Sequence, residues 1–256
     1  MLKLRIIPLL LIDGPNLVKG SGFDNWRRVG TLIPALNVHN SRDVDELLLV
    51  DAGASRNGRP FNLNILRQAR GRCFVPLAVG GGLSTINEAS AAIESGADKV
   101  VIGSALSSSM SLLTEVADRF GAQAAVAALD VRRTLDGWQM FTHGGSRLVE
   151  GSVIERARLA EEAGAGEIVI NSIDRDGMMN GFDLEVLTAV VDQVTVPVIA
   201  SGGAGTVADC VQLFESTGVS AAAAGSLFQF TEVTPAEIRE ALEVRGHPVR
   251  KTLLHR

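Results

Sequence analysis

Two glycine-rich strings, Gly80-Gly81-Gly82 and Ser201-Gly202-Gly203-Ala204-Gly205, each close a short apolar run and precede a segment of helical spacing. A Gly-Ser pair, Gly103-Ser104 or Gly225-Ser226, ends the next run in each case. Glycine lets backbone N–H groups come close to an anion, and a following helix N-terminus adds a favourable dipole. Each constellation therefore predicts a phosphate cradle, and two matched cradles predict a ligand with an anionic group at each end. Glycines that serve only tight turns are the alternative, weakened by the matching. Asp176 and Gly177 could close over one phosphate, the Asp through its backbone N–H because its carboxylate repels the anion. A second set, Arg5, Glu46, Lys99 and Glu167, marks the starts of apolar runs. A lone charge in a low-dielectric interior is very costly, so two cations and two anions placed there must pair. Asp51 and Asp130 end runs; Asp51 could face a site or serve as a structural hydrogen-bonding group.

The elements that must position these residues are regular. Apolar runs recur at Ile6–Ile12, Leu47–Val50, Phe74–Val79, Val100–Ile102, Ala124–Leu129, Ile168–Ile170, Val196–Ala200 and Ala221–Ala224. Most are uninterrupted, as strands read when both faces are buried in a parallel sheet. Helical spacing lies between them: Val153, Ala157 and Ala160 sit at i, i+4 and i+7, and Thr85–Glu94 and Thr206–Glu215 read alike. Eight strand–helix units in this length predict an α/β fold, a (β/α)8 TIM barrel in one domain spanning 1–256. The run ends Leu11, Asp51, Gly80, Gly103 are spaced by 40, 29 and 23 residues, and Asp130, Ser172, Ser201, Gly225 by 42, 29 and 24. Val75-Pro76 pairs with Val196-Pro197 and Thr85 with Thr206. This internal repeat predicts two half-barrels, about 1–120 and 121–245, supplying similar loops to one rim. The long segments after the first and fifth runs read as loops, with Trp26 and Trp138 placed to shield the mouth and His143 near a Gly-Gly.

Composition narrows the function classes. The net charge is −5 and aromatics are 4% with no Tyr, which argues against nucleic acid as a partner. Two cysteines, Cys73 and Cys210, make no disulfide framework. No stretch approaches 18 uninterrupted apolar residues, so no membrane span is expected, and no signal peptide precedes the first run. A reduced, cytoplasmic protein is the expectation. His39, His247 and His255 show no ligand spacing, so neither a metal nor a cofactor is expected.

The strings Val79-Gly80-Gly81-Gly82, Gly96-Ala97-Asp98-Lys99-Val100, Ser172-Ile173-Asp174-Arg175-Asp176-Gly177 and Ala200-Ser201-Gly202-Gly203-Ala204-Gly205 resemble the cyclase subunit of imidazole glycerol phosphate synthase, over almost the whole chain from Arg5 to about Phe230. The resemblance implies a glutaminase subunit docked on the barrel bottom, with ammonia passing up the barrel to a bisphosphorylated ribulosyl nucleotide. It implies that Arg5, Glu46, Lys99 and Glu167 form the ammonia gate and that Asp98 contacts the glutaminase. It implies phosphate binding by Gly81, Gly82, Gly103, Ser104, Asp176, Gly177, Gly202, Gly203, Gly225 and Ser226. It implies a general acid/base pair with Asp130 as one member, and a Lys19 that neutralises ligand charge. The other member of the pair belongs at Leu11, and leucine cannot move a proton. Asp13, two residues on, could substitute only after a slide of the strand. Gly103 and Asn171 are further departures, where the family more often has Asn and Thr.

A missing carboxylate beside a kept gate and kept cradles resembles a paralogous branch of bacterial surface-polysaccharide pathways. That branch implies a phosphorylated or nucleotide-linked sugar-type substrate, and ammonia supplied for converting an acetamido to an acetamidino group alongside an amidotransferase-type enzyme. An ordinary histidine-pathway cyclase, a non-catalytic ammonia conduit that activates a glutaminase, and the single-substrate isomerase of histidine synthesis are the alternatives. The gate residues argue against the last.

Overall fold

A computed structural model describes residues 3–251. His255 lies outside the described residues. Strand β1 (Arg5–Asp13) runs into a hairpin of β2 (Asn16–Ser21) and β3 (Asp24–Thr31), then helix α1 (Leu32–Ser41). There follow β4 (Leu47–Asp51), α2 (Leu63–Arg70), β5 (Leu77–Gly80), α3 (Ile86–Glu94), β6 (Lys99–Ile102) and α4 (Ser111–Phe120). Strand β7 (Ala125–Thr134) opens a second sequence of the same kind, with a hairpin of β8 (Gly137–Thr142) and β9 (Arg147–Ser152) before α5 (Val153–Glu162). It continues through β10 (Glu167–Ser172), α6 (Leu184–Val191), β11 (Val198–Ser201), α7 (Val207–Thr217), β12 (Ala221–Ala224), the short α8 (Ser226–Phe230) and α9 (Pro235–Val244). Eight strands pair in parallel in the order β10-β11-β12-β1-β4-β5-β6-β7, and β10 also pairs β7, which closes the ring into the expected (β/α)8 barrel.

Alternation along the strands builds two apolar layers. On β1, Ile7, Leu9 and Leu11 point into the barrel, where they pack with Leu48, Val101, Val126 and Val169. Ile6, Leu10 and Ile12 point outward to the helices, with Leu47, Leu49, Val100 and Ile102. Both faces are buried, which is why the runs carry no polar alternation.

Two strands start later than the sequence reading has them, and two segments read as loops are hairpins. Phe74–Val79 and Val196–Ala200 yield strands only from Leu77 and Val198, because Pro76 and Pro197 lack the N–H that a central ladder needs. Each proline instead offers its carbonyl, Pro76 O to Leu47 N at 2.9 Å and Pro197 O to Ile168 N at 3.0 Å, and Phe74 is left 85% exposed. The segments after β1 and β7 are hairpins rather than loops. Among the described residues, no helix is long and apolar enough to cross a membrane.

Helices α3 and α7 open on equivalent capping boxes, Thr85 with Glu88 and Thr206 with Asp209, each hydroxyl accepting the N3 backbone N–H. Thr85→Ala and Thr206→Ala should each lower the unfolding free energy by about 1 kcal/mol. Urea titration checks this, and a midpoint unchanged in both variants would refute the assignment.

Candidate functional site

The lower end of the barrel carries a closed ring of ion pairs. Arg5 reaches Glu46 at 2.6 Å and Glu167 at 2.7 Å, and Lys99 reaches Glu46 at 2.9 Å and Glu167 at 2.7 Å. Each charge touches two of opposite sign, and the four side chains are between 4% and 19% exposed. Burial alone would lower the Arg5 pKa, but the Coulomb pull of Glu167 and Glu46 carries it above the ordinary value. Asp98, one residue before Lys99, accepts Leu77 N at 2.8 Å and Arg70 Nη1 at 3.2 Å; its half-exposed carboxylate ties the loop below β5.

Two residues above the ring on β4, β6 and β10 stand Leu48, Val101 and Val169, and these already line the upper cavity. A strand advances about 6.5 Å in two residues, so a single apolar layer separates ring from cavity floor. The cavity holds about 950 Å³ of empty space open to solvent at the upper rim. Phe23 and Trp26 of the first hairpin overhang it; Trp138 does not line it and packs under the Arg133 guanidinium, 5.0 Å from its ring centre.

Asp130 stands in the cavity wall and accepts a hydrogen bond from Asn171 Nδ2 at 3.1 Å. Burial pushes its carboxyl up to about 7, Asn171 pulls it down and the Asp176 charge adds to the rise. Leu11 lines the same cavity. The β1–β4 ladder runs without interruption from Leu9↔Leu48 to Ile12↔Asp51, so nothing slides Asp13 inward. Asp13 instead starts the hairpin, pairs with Arg59 Nη2 at 2.8 Å and does not line the cavity, which corrects the expectation that it could stand in at Leu11. Arg59 also grips the buried Asp51 carboxylate at 2.5 and 2.9 Å.

The first glycine set lines the cavity: Gly81, Gly82, Gly103 and Ser104. Gly81 and Gly82 have φ of 95° and 71°, and a Cβ on Gly81 would strike the Asp51 backbone. Ser104 Oγ accepts His143 N–H at 3.1 Å, which ties the second hairpin to this cradle. The second set gathers into its own hollow, with Gly202, Gly203, Gly225 and Ser226 joined by Asp176, Gly177 and Lys19. Lys19 is 7% exposed, and its Nζ makes a long hydrogen bond to Leu9 O at 3.4 Å. Burial depresses Lys19 to about 8 against the pull of Asp176; burial raises Asp176 to about 6 against the pull of Lys19. Gly22 N donates to Asp176 O at 2.9 Å, so the first hairpin rests on this loop.

Sequence reading missed Arg59, Ser55, whose Oγ accepts Gly82 N–H at 3.4 Å, and the hydrogen-bonding role of Asn171. The first two sit in an irregular loop with no periodic signal. Cys73 and Cys210 are buried thiols. Among the described residues, no three His, Cys, Asp or Glu side chains are grouped to hold a metal ion.

The raised Asp130 pKa has a stability consequence. A carboxyl raised from 3.8 to about 7 by burial favours the protonated form in the folded state, so stability is lost as pH climbs between those values. Asp130→Asn removes that cost and should stabilise the protein at pH 8 by roughly 1–4 kcal/mol, with the gain fading toward pH 4. Denaturant melts at both pH values test this; equal effects at the two would contradict it.

Comparison with known proteins places the chain. A family model described as histidine biosynthesis protein matches residues 5–234. A Pseudomonas aeruginosa protein, described provisionally as imidazole glycerol phosphate synthase subunit hisF2, is 43% identical over 90% of this chain and 92% of its own length. The imidazole glycerol phosphate synthase subunit HisF of Hyphomonas neptunium is 41% identical over 98% and 99%, and that of Streptomyces coelicolor 40% over 97% and 99%.

Proposed function

The chain belongs to the histidine biosynthesis protein family, among the cyclase subunits of imidazole glycerol phosphate synthase, and from that premise we propose that it takes ammonia from a glutaminase docked beneath the barrel and delivers it to an anionic, sugar-derived acceptor in the upper cavity. The ring supports the route. Its four charges cancel, it closes the lower end, and one apolar layer lies between it and the cavity. Neutral ammonia crosses such a layer at far less cost than ammonium, because an unpaired ion in low dielectric loses its hydration. Asp98 presents a carboxylate beside the ring, on the face where the glutaminase docks. The two glycine cradles hold anionic groups of the acceptor.

The choice of acceptor turns on Leu11. Closure of an imidazole ring needs proton transfers at two separated points, which the family's cyclases assign to one carboxylate from each half-barrel. Here Asp130 faces the cavity and Leu11 occupies the other position. That observation carries the finer reading: ammonia replaces the oxygen of a sugar acetamido group, activated by a separate amidotransferase-type protein, in surface-polysaccharide synthesis. The histidine-pathway cyclase is the second reading, favoured by the retention of both cradles and by the nearly end-to-end match to HisF subunits.

Turnover of the bisphosphorylated ribulosyl nucleotide with ammonium salts separates the two. Loss of one acid/base group predicts a rate about 10²–10⁴ below that of a two-carboxylate cyclase, and Leu11→Asp should recover part of it. A wild-type rate equal to such a cyclase's would assign the protein to histidine synthesis. Asp130→Asn should abolish product formation, whereas a pure conduit would tolerate it.

The gate is tested separately. Arg5→Ala and Glu167→Ala should keep the circular-dichroism spectrum while glutamine hydrolysis by the glutaminase runs ahead of product formation. Retention of the wild-type ratio in both variants would remove the gate assignment.

A further inference from the structure

Asp51, Asp130 and Asp176 line the main cavity, and among the described residues no lysine or arginine does. The second cradle has Lys19 in its wall, whereas the first glycine set has no cation beside it in the cavity lining. The loop over 52–62, between β4 and α2, supplies what is missing there. It is locked in place by Arg59, which grips the fully buried Asp51 carboxylate with two nitrogens and reaches Asp13 at 2.8 Å. The same ion pair lends its backbone as a mould for the cradle: a Cβ on Gly81 would strike the Asp51 carbonyl, and one on Gly82 the Arg59 carbonyl.

Two residues of this loop face the cradle with unspent donors. Ser55 lines the cavity, and its Oγ accepts Gly82 N–H at 3.4 Å while its own proton goes to no group among the described residues. The bond is long, so an anionic oxygen placed there receives the N–H and the hydroxyl proton together. Arg56 is exposed and pairs with no carboxylate among the described residues. Its Nη2 donates to Phe23 O at 3.3 Å, and its guanidinium lies 5.9 Å from the Trp26 ring centre. A Cβ on Gly144 would fall 2.7 Å from the same Nη2. Gly144 lines the cavity and follows His143, whose N–H is bound by Ser104 Oγ of the cradle. The guanidinium therefore stands at the rim with cradle residues on both sides, Ser55 before it in the chain and Ser104 beyond the His143-Gly144 backbone.

We propose that Ser55 and Arg56 complete the first cradle: the Ser55 hydroxyl donates to a phosphate beside Gly82 N–H, and the Arg56 guanidinium turns from Phe23 O onto the same anion. Arg56 has Nε and Nη1 left for a forked contact, and it brings the positive charge that the glycines lack. Arg59 is the positioning residue that holds both donors over the glycines. The inference rests on the reading of the first glycine set as a phosphate site, and goes beyond it in naming the groups that neutralise the anion.

Trp26 reports on this event. The chain has two tryptophans, so Trp138→Phe leaves Trp26 alone beside Arg56. Titrating that protein with glycerol 3-phosphate at fixed ionic strength should change the Trp26 emission saturably, and glycerol should not. Arg56→Met should weaken this binding about tenfold or more, Arg56→Lys by less, and Ser55→Ala about threefold, each with the thermal midpoint unchanged. Calorimetry on the same variants should show a second site, at Lys19, that none of them weakens. A Trp26 response indifferent to both Arg56→Met and Ser55→Ala overturns the inference and leaves the first cradle standing. A silent Trp26, with calorimetry finding no site that Arg56→Met weakens, overturns the first cradle and the inference together.

Discussion

The two-residue alternation of a β-strand is the constraint on which this molecule is built. Four strands present the barrel axis with a charge, then an apolar side chain, then the residues of the cavity wall: Arg5-Ile7-Leu9-Leu11, Glu46-Leu48-Val50, Lys99-Val101-Gly103 and Glu167-Val169-Asn171. The unbroken parallel ladders hold the four charges at a common height, where they close as a neutral ring. A slip of one residue on β10 would turn Ile168 inward and Glu167 toward the helices, leaving Arg5 and Lys99 with one carboxylate between them. Removing a single partner from such a cluster leaves an uncompensated charge, which is why register and electrostatics enforce each other here.

The same geometry explains the unusual titration of the mouth. Asp130, Asp176 and Lys19 are all driven toward their neutral forms, and burial is the largest cause in each. A site that receives a polyanion benefits, because the carboxylates repel it less than ordinary ones would. A phosphate arriving there would add to the pull of Asp176 and draw the Lys19 pKa back up. The first hairpin joins in through Gly22 and the backbone of Asp176, and Gly177 packs so tightly on Gly20 that a Cβ there would strike its carbonyl. Cradle and hairpin therefore share one loop.

Much of this was legible in the sequence because it follows from spacing. The eight runs, the paired glycine strings and the ring charges all sit at positions set by strand length. The proline-led strands show the limit of that reading: Val75-Pro76-Leu77 is continuous in hydrophobicity, but hydrogen bonding begins only after the proline. Both hairpins escaped it because their strands are short and the second strand of each is largely exposed, with β3 carrying Arg27 and Arg28 on a surface that has no apolar period. Arg59 was invisible for another reason. Its partners Asp13 and Asp51 lie 46 and 8 residues away, and an irregular loop gives no rule for where a long side chain will reach.

Leu11 gains meaning from this frame. A carboxylate at that position would face Asp130 across an apolar cavity and add like-charge repulsion to the burial that already raises it. With leucine there, no second carboxylate faces Asp130, whose carboxyl burial raises to about 7 and Asn171 holds by a hydrogen bond. One base suffices to take the proton that ammonia sheds as its nitrogen bonds to carbon. Closing a ring and expelling the fragments needs a second group to give a proton back at a distant atom. On the function proposed above, the mouth of this barrel would serve the addition of ammonia rather than the two-ended proton traffic of cyclisation.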